Sequence, residues 1–313
     1  METRILLEPV LPQLEAVEKI LLREARSRVG LISELRSLTP IAKGKKVRAA
    51  FFFLLARLNR ARGGGPPDLG AAIEMLHLSS LVHDDIVDHS SRRRGQRTPN
   101  HHFGDTVSVL WGDFLFITAM RMLTRSGRGD AVGLLAEASG RMIEGQILEF
   151  AHTFDYRLPL RTYSEIIRRK TASLFEGIAV LAARLPGGRP GREEAFRRFG
   201  RDFGMIFQVS DDLLDLFSRQ SGKGRFQDLK EGKVTLPYIL LVQGGALPLI
   251  RSFDPLRPAP LLEACRRLQV LERCQRAIDR YRRSCQRFLN AFPPSPQRES
   301  LRGLIENMCR RDH

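Results

Sequence analysis

The chain has 313 residues, of which 42% are hydrophobic, 27% charged and 7% aromatic. This excludes a disordered polar tail, a collagen-like repeat and a small disulfide scaffold, and leaves a globular protein with a sizeable core. Lys and Arg number 51 against 35 Asp and Glu, a formal charge of +16, which suits polyanionic partners such as nucleic acid, anionic lipid or phosphorylated metabolites without choosing among them.

The N-terminal stretch mixes Glu2, Arg4, Glu8, Glu15, Glu18 and Lys19 with its apolar residues and lacks the charge-then-apolar order of a secretory signal. Its Leu11, Leu14, Val17, Ile20 and Leu21 recur at helical spacing. The most apolar run, Ala49 to Ala56, stops at Arg57, well short of the roughly 20 residues that cross a bilayer, so no membrane span is expected. Breakers follow at Gly63–Asp68, Arg125–Asp130, Leu185–Gly191, Ser218–Gly224 and Phe292–Pro296. The segments between them show three- and four-residue periodicity and no series of alternating strands. The pattern predicts an all-α bundle forming one domain over residues 1–313. Cys265, Cys274, Cys285 and Cys309 lie in the last fifth of the chain with no CxxC pair. Neither a zinc site nor a redox dithiol is indicated, and a reducing cytoplasm is the expected location. The Arg-rich tail from Arg266 to Arg311 reads first as a solvated helical face, and second as a weak peripheral contact with anionic membrane.

One pattern recurs at long range: Asp84-Asp85-Ile86-Val87-Asp88 and Asp211-Asp212-Leu213-Leu214-Asp215, each closing an apolar helical segment and each followed by a basic, glycine-containing stretch. On a helix, positions i and i+4 share a face about 6 Å apart along the axis, so Asp84 projects with Asp88 and Asp211 with Asp215. Such carboxylates repel unless a hard divalent cation neutralises them, and Mg²⁺ takes a few carboxylates and fills its shell with water and phosphate oxygens. A single such motif most often reads as a solvated helix end; two with matched lead-ins favour metal. His77, seven residues before Asp84, and Gln208, three before Asp211, lie close to the same faces. Alone, either would read as a satisfied core polar residue. Arg92, Arg93, Arg94 and Arg97 follow the first motif, and Lys223, Lys230 and Lys233 the second; Lys45, Lys46 and Arg48, and Arg168, Arg169 and Lys170, cluster elsewhere. Cations beside carboxylates make either surface ion pairs or a metal-bridged polyphosphate site, and the second accounts for more of the pattern. Nucleic acid is disfavoured because no aromatics interleave with the Arg run. His83, His89, His101 and His102 have no metal-ligand spacing, and Trp111 and Phe114 read as core.

Taken together, GKKVR (Gly44–Arg48), HLSSLVHDDIVDHSSRRRG (His77–Gly95), GD (Gly112–Asp113), EGQ (Glu144–Gln146), KTASLF (Lys170–Phe175), FQVSDDLLD (Phe207–Asp215) and GKGRFQDLKEGKVTLP (Gly222–Pro237) resemble, in order, the motifs of the trans-type polyprenyl (isoprenyl) diphosphate synthases. The resemblance covers about residues 44–237 and leaves 238–313 as C-terminal helices. It implies an all-α, homodimeric isoprenoid-synthase fold whose two aspartate-rich helices face a central cavity, and about three Mg²⁺ per active site. By position, Asp84, Asp88 and Asp211 are the implied metal ligands, with Asp85, Asp212 and Asp215 in support. Arg93, Lys170 and Lys233 are implied to stabilise the leaving diphosphate. Thr171, Gln208 and Lys223 would hold the allylic diphosphate, and Lys45, Arg48, His77 and Arg94 isopentenyl diphosphate. The implied reaction ionises the allylic diphosphate, adds the double bond of isopentenyl diphosphate to the carbocation and loses a proton. Small Ser79 and Ser80 before the first motif leave the product tunnel open, so geranylgeranyl diphosphate or a longer product is expected. Three positions depart from the usual pattern: Ala49 stands where proline is common, Glu149 near where glutamine or aspartate is more familiar, and Phe226 where glycine is frequent. A non-catalytic subunit of a heteromeric synthase would be expected to have lost an acidic motif, and a class I terpene cyclase would not need the isopentenyl-binding set.

Overall fold

The computed structural model describes residues 3–41, 44–93, 95–217 and 225–310. It is all-α, as expected. The first half carries α1 (Thr3–Leu7), α2 (Leu11–Glu24), α3 (Gly30–Leu38), α4 (Val47–Leu58), α5 (Pro67–Val87), α6 (Pro99–Phe103), α7 (Asp105–Arg125) and α8 (Gly129–Ala151). Then come α9 (Leu160–Ile167), α10 (Ser173–Ala183), α11 (Glu193–Phe217), α12 (Gln227–Lys230), α13 (Leu236–Gln243), α14 (Leu247–Arg251), α15 (Ala259–Arg267), α16 (Val270–Asn290) and α17 (Pro296–Cys309). A π-helical segment, Arg168–Ala172, joins α9 to α10. The strands among the described residues are β1 (Arg92–Arg93) and β2 (Gln96–Arg97), an antiparallel pair too short to leave an alternating pattern in the sequence. Four of the five expected breakers fall between helices, and Pro67 opens α5, where its missing N–H costs nothing. The fifth, Ser218–Gly224, lies outside the described residues.

The chain packs as two compact units, one from residues 1–137, 177–197 and 292–303, the other from 138–176, 198–291 and 304–313. In the first, α5 is the central helix and packs on α2, α4 and α7. The AAFFFLLA run is buried throughout within α4, as a core helix rather than a membrane segment; each of its phenylalanines contributes about 1.5–3 kcal/mol by leaving water. Helix α7 is, among the described residues, the one helix long and apolar enough to cross a membrane. It carries Asp113 and Arg121 and packs Leu115, Ala119 and Leu123 inward, which is the pattern of a core helix. Trp111 of α7 is fully buried, stacks on Phe114 and donates its Nε1–H to Thr39 Oγ1 at 2.8 Å.

In the second unit, α16 turns Val270, Cys274, Ile278, Cys285 and Leu289 inward and packs on α13 and α15. All four cysteines are free thiols. Burial pushes the Cys265 thiol up to about 12, which makes it a packing residue and not a nucleophile.

Candidate active site

The first acidic motif closes α5. Asp88 caps the helix and its N–H donates to the Asp84 carbonyl at 2.8 Å, so helical spacing holds through both residues and puts them on one face. Both are half-buried. Asp85 points elsewhere: it is buried, and its carboxylate receives Arg93 through Nε at 2.8 Å to each oxygen and Nη2 at 2.6 Å. The β1–β2 pair carries Arg93 back to the motif, and Asn100 Nδ2 donates to the carbonyls of Asp85 and Ser90 at 3.1 and 3.2 Å. Asp85 is thus a brace, and Arg93, expected to face substrate, also holds the motif in place. Arg94 lies outside the described residues. His77 is half-buried on the same helix, and Ser80 Oγ donates to its carbonyl at 2.9 Å. Ser79 is buried towards α7, donating to the Gly112 carbonyl at 2.9 Å. At the start of α4, Lys45 is exposed and Arg48 half-buried.

The second motif lies on α11. Asp211 is half-buried and Asp212 fully so. Asp212 accepts from Tyr163 Oη at 2.5 Å and Gln208 Nε2 at 2.9 Å, while Gln208 Oε1 accepts from Thr171 Oγ1 at 2.6 Å. Burial raises the Asp212 carboxyl to about 7 against the pull of those two donors. Thr171 and Gln208, both expected at the allylic diphosphate, are joined in one chain ending on Asp212. Asp215 has a different task. Its carboxylate accepts the N–H groups of Gln227 and Asp228 at 2.8 and 3.3 Å and so caps α12.

Phe226 precedes that helix with φ of 61°. A non-glycine residue there costs roughly 1–2 kcal/mol, which explains glycine's frequency at this position in the resemblance. The phenylalanine is held by burial against the Phe253 ring at 4.8 Å, with the Arg225 guanidinium 4.8 Å over its own ring.

Lys170 ion-pairs with Glu149 at 2.5 Å and Lys233 with Glu231 at 2.6 Å. Lys170 and Thr171 belong to the π-helical segment, a local unwinding common at functional sites. Two glycines admit it: a Cβ on Gly145 would sit 2.3 Å from the Lys170 nitrogen, and one on Gly204 would sit 2.6 Å from the Ala172 Cα. Gly145 is the centre of the EGQ motif, whose purpose is therefore close approach. Lys223 lies outside the described residues. Sequence reasoning gave no part to Tyr163 and left Glu149 as a mere departure. A tyrosine without a motif carries no local signal of its partner.

Among the described residues no three His, Cys, Asp or Glu groups form a ready-made metal cage. Asp84 and Asp88 on α5, and separately Asp211 on α11, offer few, hard oxygen donors on each helix. Donors of that kind suit Mg²⁺, which keeps water and takes phosphate oxygens, better than a metal that demands an all-protein shell.

Residues 31–247 match the family described as Polyprenyl synthetase. The chain is 33% identical to the octaprenyl diphosphate synthase of Escherichia coli over 95% of each chain. It is 31% identical to heptaprenyl diphosphate synthase component 2 of Geobacillus stearothermophilus over 96% of each. The crystal structure of a polyprenyl synthase from Caulobacter crescentus, complexed with calcium and isoprenyl diphosphate, superposes with a TM-score of 0.90 at 29% identity, covering 100% of this chain and 98% of that one. With both acidic motifs, the π-helical Lys-Thr segment and the arginine brace in place, the chain belongs to the polyprenyl synthetase family, as a prenyltransferase of the trans-polyprenyl diphosphate synthase type.

Proposed function

We propose that this chain joins isopentenyl diphosphate to an allylic diphosphate, repeatedly, to give an all-trans product of geranylgeranyl length or longer. The observation that carries the reading is the pair of aspartate-rich motifs, each closing a helix and each held by its own polar framework: Arg93 on Asp85 in the first, Tyr163 and Gln208 on Asp212 in the second. Asp84, Asp88 and Asp211, all half-buried, are the carboxylates that the resemblance assigns to Mg²⁺. Bound there, about three Mg²⁺ would neutralise charge developing on the departing diphosphate. Lys170 and Lys233 move from Glu149 and Glu231 to the same leaving group, and Arg93 adds its field from behind Asp85. Thr171, Gln208 and Lys223 hold the allylic diphosphate; Lys45, Arg48, His77 and Arg94 hold isopentenyl diphosphate. The allylic carbon–oxygen bond breaks with its electron pair on diphosphate. The isopentenyl double bond forms the new carbon–carbon bond, and a proton lost to the departing diphosphate restores a double bond. Long products are supported by the small, half-buried Ser80 and by relatives named for octaprenyl and heptaprenyl products; Ser79, expected to share that role, is instead buried against α7.

The chain acts as one catalytic domain, and two copies pair. Support for pairing is the apolar surface left on each of two helices: Leu110 and Ile117 of α7 are 65% and 55% exposed, and Ile143, Ile147 and Phe150 of α8 are 57%, 63% and 69% exposed. On α16, Arg276, Arg280, Arg283 and Arg287 are exposed at i, i+4, i+7 and i+11, a stripe suited to peripheral contact with an anionic bilayer. The four free thiols fit a reducing cytoplasm.

A two-component enzyme is the second reading, favoured by the relative named component 2. Purified chain incubated alone with labelled isopentenyl diphosphate, Mg²⁺ and a short allylic primer decides between them by mass spectrometry. Extended prenyl diphosphates support the proposal. Products formed only after a second chain is added favour the two-component enzyme, and a cyclic hydrocarbon would make this a cyclase.

A further inference from the structure

The start of α4 is held from two sides by carboxylates that no substrate contact explains. Its N-cap residue, Lys46, has φ of 44° and gives no side-chain cap. Such a left-handed lysine persists only where its surroundings fix it. From α2, Glu18 forms an ion pair with Lys46, whose side chain is only 7% exposed. From α5, Glu74 reaches the helix end itself: its Oε1 accepts the Ala49 N–H at 2.8 Å, and the Arg48 N–H also bonds to its carboxyl. Glu74 is buried at 7% exposure, so this contact is shielded from competing water. A buried donor left without its partner costs about 1–3 kcal/mol.

The chemistry of that helix end is unusual in one respect. Free amides at a helix N-terminus are a ready anion site and would draw a diphosphate to the backbone. Here Glu74 already occupies them, so an incoming diphosphate meets the side chains of Lys45 and Arg48 instead. Alanine at position 49 makes this possible, since the proline common there has no N–H to give. Glu74 also lies one helical turn before His77 on α5, so the helix that carries one isopentenyl-binding residue directly fixes the helix start that carries two others.

We propose that Glu74 is a positioning residue for isopentenyl diphosphate: through the amides of Arg48 and Ala49 it sets the α4 start so that Lys45 and Arg48 present their cations in register with His77. This rests on the reading that Lys45, Arg48 and His77 bind isopentenyl diphosphate. What matters is the reach of an oxygen to the Ala49 N–H rather than the negative charge.

Steady-state kinetics with each substrate varied in turn test this in Glu74→Ala, Glu74→Gln, Glu74→Asp and Arg48→Ala. Glu74→Ala is expected to raise KM for isopentenyl diphosphate about tenfold, the scale of one lost buried hydrogen bond, with KM for the allylic substrate unchanged. Glu74→Gln keeps the acceptor at full length and should stay within about twofold of wild type; Glu74→Asp keeps the charge, falls one methylene short and should lie near Glu74→Ala. If Glu74→Ala fails to fold, the Gln and Asp variants still decide the matter. Unchanged KM in Glu74→Asp with a defect in Glu74→Gln, equal changes for both substrates, or no change in any Glu74 variant while Arg48→Ala raises KM for isopentenyl diphosphate would each overturn the proposal. An Arg48→Ala enzyme with unaltered KM would instead sink the underlying site assignment.

Discussion

Ser79 and Ser80 are neighbours on α5 but meet different surroundings. Ser79 is buried and bonded to Gly112 of α7, whereas Ser80 is half-buried on the face it shares with His77, Asp84 and Asp88. A bulky residue at 80 therefore projects beneath the first motif, while one at 79 collides with α7. Ser80→Phe is expected to keep turnover and shorten the product by several isoprene units in mass spectra; an unchanged product distribution would move the length-setting position elsewhere. The second motif divides in a similar way. Asp215 caps α12, so Asp215→Ala should lower stability by about 1 kcal/mol in denaturant unfolding, the usual value of a helix cap, and leave Mg²⁺-dependent turnover far less impaired than Asp211→Ala does. Equal loss of turnover in the two would make Asp215 a metal ligand after all. Helical spacing set Asp85 and Asp212 off the face shared by each i, i+4 pair but did not separate Asp215 from Asp211, because spacing reports which face a carboxylate leaves and not which donor meets it.

At the scale of elements, the π-helical segment carries Lys170 and Thr171, and its entry is pinned by Glu165 on α9, which receives Arg168 through two bonds of 2.9 Å and Arg169 through one of 2.5 Å. The Arg168 bond is the chief cause that lowers the Glu165 carboxyl from 4.5 to about 2, with Arg169 adding to it against partial desolvation. A carboxylate lowered on folding stabilises the protein above its unfolded value and loses that contribution as pH falls towards the folded one. Glu165 is largely solvated, so the effect is below about 1 kcal/mol. Glu165→Gln should lower Tm by about 2 °C at pH 7, and the gap should close as pH drops from about 5 to 2; a gap that stays constant would show that Glu165 acts without its charge. The arginine stripe on α16 makes a separate prediction. Vesicles containing phosphatidylglycerol should pull the protein down in sedimentation, neutral phosphatidylcholine vesicles should not, and changing Arg276, Arg280, Arg283 and Arg287 to Gln should abolish the difference. Equal sedimentation with both lipids, or an unchanged quadruple variant, would leave the stripe a solvated face.

For the whole molecule, the helix boundaries were legible because Pro and Gly clusters end helices whatever surrounds them, and the all-α class followed from a periodicity that runs through most segments. The two acidic motifs were legible because they repeat. Long-range polar partners were not: Tyr163 to Asp212, Glu74 to Ala49 and Glu149 to Lys170 join residues 49, 25 and 21 positions apart on different elements, and no local pattern announces them. The π-helical turn was hidden for a related reason, since it depends on Gly145 and Gly204 approaching from other helices. The division into two compact units lay beyond local pattern as well, because each gathers stretches from distant parts of the chain.

The most direct test of the central claim is incorporation of labelled isopentenyl diphosphate by Asp84→Ala and Asp211→Ala, each purified as folded protein and assayed with and without Mg²⁺. Each variant is expected to lose turnover by about a thousandfold or more, comparable to removing a key stabiliser of transition-state charge, and wild type should fall equally far when the metal is chelated. Chain growth near the wild-type rate in either variant, or in chelator, would contradict it.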